Sequence, residues 1–198
     1  MGWRMKLFGA ERPTRTRYLA MAALYTFLAL AFYGLATSFL PEPAFAIGTA
    51  WVAAVLALAL TTLLGGLTIA GRNPNFRGSK WRLVWLLPAM AAFVFGFAWI
   101  AFARAVPSAA TRAFGANDAL PPAVMWTGDS WHRNECSYQL RGGPLEDTFQ
   151  GHLCLHADYF HAHPNHRVEV RLTGRRSFAG FAPQGFVHLR DLGPHTRN

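Results

Sequence analysis

Three long stretches of this sequence carry no charged residue: Tyr18 to Leu40, Ala44 to Gly71 and Leu83 to Ala103, of 23, 28 and 21 residues. An α-helix rises about 1.5 Å per residue and needs about 20 residues to cross about 30 Å of hydrocarbon, so each stretch can span a bilayer. A buried helix of a soluble protein shows a polar stripe over several turns, and these show none. Basic residues precede the first stretch and Ala44-Phe45-Ala46 resembles a signal-peptide cleavage site, but the apolar run is too long for a cleaved signal and reads as a signal-anchor helix. The expected fold class is therefore a membrane all-α region at 18–103, with helices at about 18–40, 45–70 and 83–103, followed by a small β-rich domain, all-β or α+β.

The net charge of +9 is unevenly placed. Residues 1–104 hold 10 Lys or Arg against Glu11 and Glu42, a net of +8, and residues 105–198 hold nine against eight acids, a net of +1. That excess belongs with helix orientation and anionic lipid, so a nucleic-acid partner is not expected. Arg4, Lys6, Arg12, Arg15 and Arg17 precede the first stretch, and Arg72, Arg77, Lys80 and Arg82 lie between the second and third. The link Pro41-Glu42-Pro43 holds one acid and no base. The bias places residues 1–17 in the cytoplasm, and three crossings then carry the C-terminal domain outside. The expected location is a multi-pass protein of the cell membrane, in a bacterial inner membrane since no eukaryotic retention signal is evident. Tyr18, Trp81, Trp85, Trp51 and Trp99 sit where interfacial belts would place them. Gly65-Gly66, Thr61-Thr62 and the pair Ala92 and Gly96 suit close helix contact or homo-oligomers, and Pro88 suits a kink in the third helix. Nothing within the stretches is ionisable, which leaves transport without a charged pathway.

Residues 104–122 carry Pro107, Gly115, Pro121 and Pro122 around an Ala-rich run and read as a linker with a helical turn or two. The domain at 123–198 has about 75 residues, a size at which one core is marginal. Cys136 and Cys154 are expected to close it as a disulfide, given an oxidising compartment and no Cys-x-x-Cys motif. Val168, Val170 and Leu172 alternate with Arg167, Glu169, Arg171 and Thr173, the period of a half-buried strand. Ala123 to Thr127, Cys136 to Leu140, Phe149 to His156 and Phe186 to Leu189 are further strand candidates. A turn is expected at Arg141 to Pro144, and a short helix around Ala157 to His163.

All eight histidines follow residue 130. His156, His161, His163 and His166 form the candidate metal set, with His152 beside them and Asp158 as a possible carboxylate. Imidazole is the commonest transition-metal ligand, and His161 and His163 would share one face of a strand. Zinc or copper is the implied ion; otherwise no cofactor is indicated. Gly128-Asp129-Ser130-Trp131-His132 gathers hydrolase-like residues, but a nucleophile elbow needs Gly-x-Ser-x-Gly in a larger α/β fold. Glu146-Asp147 and Arg175-Arg176 read as solvated surface. Trp131, among polar neighbours, is the candidate contact residue for a partner or the outer leaflet.

The function expected first is that of a non-enzymatic membrane protein, in contact with membrane lipid, presenting its domain to another protein or envelope component. Metal handling or sensing through the histidines is the alternative. A small membrane enzyme acting at the outer interface is the third reading, and catalytic residues for it are not identified.

Overall fold

A computed structural model describes residues 14–69, 80–130 and 136–195. Trp131, Arg4, Lys6, Arg12, Arg72 and Arg77 lie outside the described residues.

Helix α1 runs Arg15–Ala36, α2 Pro43–Ile69 and α3 Lys80–Ile100. Pro43 opens α2, where its missing N–H is not needed, and the Ala46 N–H donates to the Glu42 carbonyl to close the first turn. Among the described residues two helical segments, Pro43–Leu63 and Trp85–Phe114, are long and apolar enough to cross a membrane, and only 17% of an 18-residue apolar window in each is buried inside the protein. The core helix of a soluble protein would be mostly covered. Here Trp51 and Trp85 are 72% and 77% exposed. In α1 the apolar portion among the described residues is Met21–Ala36; the chain leaves the helix at Thr37, and the last residues of the 18–40 run form a link. Gly34 lets α1 approach the third helix closely, since a side chain there would meet the Ile100 carbonyl and side chain at 2.9 Å. The indole N–H of Trp99 donates to the Ala46 carbonyl, which ties α3 to α2 rather than standing as a free interfacial anchor.

Helical structure does not stop at Ala103. A π-helical turn, Ala101–Ala105, continues α3 into α4, Val106–Phe114, through the segment read from sequence as a linker. The Val106 N–H reaches back five residues to the Ala101 carbonyl. Pro107 follows at once; it has no N–H for the Ala103 carbonyl and its ring would crowd that oxygen, so the wider turn relieves a clash. Arg104 consequently stays within the helix and is buried.

Among the described residues seven strands form an antiparallel sheet that curls around this domain's core: β1 Leu40–Pro41, β2 Ala116–Ala119, β3 Ala123–Asp129, β4 Tyr138–Arg141, β5 His152–Cys154, β6 His166–Ser177 and β7 Gly180–Pro194. Their order is β1-β7-β6-β3-β4-β5, with β2 beside β6 ahead of β3. All five strands expected in the domain are present. The turn at Gly142 leads into a 3-10 turn, Gly143–Asp147, and α5, Ala157–Ala162, stands where the short helix was expected. Cys136 and Cys154 lie at disulfide distance, with Cα atoms 5.6 Å apart. Met125, Leu140, Leu145, Leu155, Val168, Val170, Leu172 and Phe181 are the buried core.

The helices meet the sheet through the α1–α2 link and a seam beside this core. Leu40, in the link between α1 and α2, packs against it, while Phe39, Ala179 and Ala182 form a second buried cluster with Phe45 at the joint. Leu40 and Pro41 pair with Phe181 and Gly180, and the Glu42 N–H donates to the Ala179 carbonyl. Polar contacts complete the seam: Thr37 with Ser108, Ser38 with Gln150, Arg112 with Thr37, and Arg104 with the Asp147 carbonyl.

Candidate metal centre

The centre is assembled where α5 turns into β6. Pro164 and Asn165 make the turn, with Asn165 at φ 53°, a left-handed conformation that asparagine tolerates better than most residues. The buried Thr127 hydroxyl donates to the His163 carbonyl and accepts from the His166 N–H, so β3 holds the two ends of the turn together. His163 and His166 thereby face the same side.

The third group comes from β7. A register irregularity between His166 and Val168 sets Asp191 opposite Val168 and within reach of both rings. Its Oδ2 lies 3.0 Å from His163 Nδ1 and 2.7 Å from His166 Nδ1, and its Oδ1 accepts the Gly193 N–H at 2.8 Å. The Gly193 N–H, then the His166 and His163 rings, hold the Asp191 carboxyl well below the usual carboxylate range. An ionised carboxylate only accepts, so both Nδ1 atoms carry the hydrogen in this state. The three side chains are about a quarter to a third exposed, which leaves the centre open to solutes.

Two more residues form its wall. His188 stacks on His163, with ring centroids 4.8 Å apart and planes 16° from parallel. Tyr159 from α5 sits 2.7 Å from His188 Nδ1 through its hydroxyl. Burial, and then the negative charge of Asp191, push the Tyr159 phenol up to about 12. It therefore stays neutral and keeps its proton for hydrogen bonding.

Three donor atoms converging within 4.8 Å of one another can hold a metal ion. Zinc binds imidazole and carboxylate at about 2.0 to 2.2 Å, which puts tetrahedral ligand atoms roughly 3.3 Å apart. The two separations from Asp191 Oδ2 to the imidazole nitrogens need to open by only a few tenths of an ångström as a cation takes the place of the Nδ1 hydrogens, which shift to Nε2. No family model, curated protein or solved structure matches this chain. Its chemistry has to be read from these side chains.

Of the four histidines singled out in the sequence, His163 and His166 come together and the other two do not. His156 precedes α5 and pairs with Asp158 at 3.1 Å, both strongly exposed. His161 lies in the last turn of α5, edge-on to Tyr138 at 5.4 Å. Its i, i+2 spacing from His163 would align two rings on a strand, but this segment is helical and the spacing separates them. His152 stands beside the Cys136–Cys154 pair, whose sulfurs, once bonded together, do not offer thiolates to a metal. His195 stacks on Trp126 in a separate polar cleft of about 430 Å³.

Sequence reasoning missed Asp191, His188 and Tyr159. Asp191 and His188 lie 22 or more residues beyond His166, and only the β6–β7 pairing brings them alongside.

Proposed function

We propose that this protein crosses the membrane three times, holds its β domain on the extracytoplasmic face, and uses that domain to bind zinc or copper for handling or sensing. The observation that carries the metal reading is the convergence of His163 Nδ1, His166 Nδ1 and Asp191 Oδ2. Imidazole and carboxylate donors suit zinc and copper(II), and three protein ligands leave a coordination position open. An open position suits a metal that is exchanged or sensed better than one that only staples a fold. The proposed topology is supported by the fold: the sheet sits where α1 ends, α2 begins and α4 ends, so Arg15 and Lys80 start their helices at the opposite end. Those basic ends agree with a cytoplasmic side there.

Full-length protein purified in detergent, loaded with zinc or copper(II) and desalted, is expected to retain about one metal ion per chain. His163→Ala/His166→Ala should lose it, with Asp191→Asn weakening it at least tenfold, while His156→Ala/His161→Ala retains it. Metal content that is unaffected in the first double variant, with its circular dichroism unchanged, would discard this reading.

Presentation of the domain to a protein partner is a second reading, favoured by β7. Beyond Phe181 the outer edge of β7 pairs with no strand among the described residues, and Val187, Leu189 and Leu192 along it stay exposed. An open edge with apolar side chains accepts an added strand from another chain.

A further inference from the structure

A second donor set lies at the β5 end of the sheet, where β5 is the last strand among the described residues. Cys136, just before β4, and His152 and Cys154 of β5 bring two sulfurs and a ring nitrogen within 4.8 Å of one another. His152 and Cys154 are alternate residues of one strand, so their side chains share a face. The His152 Nδ1–H donates to the Gln150 carbonyl, which leaves the ring's lone pair on Nε2. A backbone carbonyl that fixes the tautomer in this way is the usual support of a metal-ligating imidazole. A disulfide that only closes a loop does not need one. Hydrogen bonds also hold both cysteines without help from their sulfurs. Cys154 pairs with Gln139, the Gln139 side-chain amide donates to the Cys136 carbonyl, and the Leu155 N–H donates to the Tyr138 carbonyl. β4 therefore keeps the two cysteines side by side when the bond between the sulfurs is open.

We propose that Cys136, Cys154 and His152 form a redox-gated zinc site, closed to metal as the disulfide and opened by a dithiol reductant. Cys154 is exposed and Cys136 half-buried, so a thiolate of the reductant reaches the Cys154 sulfur more readily. It bonds to that sulfur, and the Cys136 sulfur leaves as a thiolate and takes up a proton. The reductant's second thiol then displaces Cys154 and closes the reductant into its own disulfide. Two electrons and two protons have passed from the dithiol to the two cysteines. Zinc displaces the two thiol protons into solvent and takes the imidazole lone pair as its third donor. Tetrahedral zinc with sulfurs at about 2.3 Å sets them about 3.8 Å apart. Cα atoms 5.6 Å apart accommodate that separation by rotation about each Cα–Cβ bond. The ion also reconnects the cysteines, so the sequence separation of 18 residues stays bridged in both states. This site shares no ligand with the His163 and His166 centre and does not depend on it.

The test uses full-length protein in detergent, both unaltered and as His163→Ala/His166→Ala to silence the first centre. Each is treated anaerobically with an immobilised dithiol, loaded with zinc and desalted. Reduction is expected to add one zinc ion per chain in either protein, and a stoichiometric disulfide oxidant should expel it. Cobalt(II) in place of zinc should show the thiolate-to-metal charge-transfer band of two sulfur ligands. His152→Ala should weaken the reduced-state zinc affinity at least tenfold while its cysteines still close into a disulfide on oxidation, and Cys136→Ser/Cys154→Ser should gain no zinc on reduction. Absence of added zinc overturns the proposal, whether the pair resists the dithiol, the thiols stay free or circular dichroism shows that the reduced domain has unfolded. So does an unchanged zinc affinity in His152→Ala. Either failure leaves the His163 and His166 centre standing, because the unreduced protein tests that centre alone.

Discussion

Tyr159 and Asp191 flank the same histidines and respond to pH in opposite directions. The folded state holds the Asp191 carboxyl below its ordinary value, so its stabilising effect is complete above about pH 4 and is lost as pH falls further. The Tyr159 phenol is raised to about 12, so its contribution is complete below about pH 10 and disappears as pH climbs through 12. Denaturant midpoints measured across pH should show both limbs. Asp191→Asn is expected to flatten the acid limb alone and Tyr159→Phe the alkaline limb alone; an alkaline limb that persists in Tyr159→Phe would refute the assignment. Bound metal adds a third dependence, because protons compete with the cation for the imidazole nitrogens as the solution acidifies.

Among the elements, β1 is the smallest and joins the most. Its two residues attach the α1–α2 link to β7, and the register demands glycine at position 180. Gly180 has φ 149°, and a side chain there would collide with the Leu40 carbonyl. Gly180→Val should therefore cost at least about 2 kcal/mol and loosen the link. Gly185→Ala, on the same strand, meets only the Thr173 hydroxyl at 3.5 Å and should cost under about 1 kcal/mol. Limited proteolysis in detergent reads the difference as faster cleavage near Thr37 to Pro43 in the first variant; equal cleavage in both would show that the joint does not depend on this pairing. Arg104 anchors the same joint from the π-helical turn. Its guanidinium donates to the Asp147 carbonyl and lies 4.3 Å from the centre of the Phe149 ring. A helix that ended at Ala103 could not place it there.

For the whole molecule, the β1–β7 pairing and the Phe39 cluster join helices to sheet, so the side occupied by the sheet is the side occupied by the α1–α2 link. The proposed topology then predicts that Gln184→Cys, exposed on β7, reacts with a membrane-impermeant maleimide in intact cells, while Thr14→Cys, just before α1, reacts only after lysis. The reverse pattern would turn the protein over. Much of the architecture is local and was legible: uncharged runs show where apolar helices form, alternation around Val168 to Leu172 shows which strand face is buried, and turn residues and a cysteine pair mark the domain's closure. These follow from hydrophobic periodicity and side-chain chemistry, which neighbouring residues settle among themselves. Other features depended on residues far apart in the chain. β1 and β2 are too short to carry a pattern and exist because β7 and β6 offer them edges, while α4 continues through an apparent linker because the sheet buries one of its faces. The metal centre is the clearest case. Composition named its histidines, but strand register, one irregularity in β6 and the helical character of α5 selected His163 and His166, supplied Asp191 and turned His156 and His161 away.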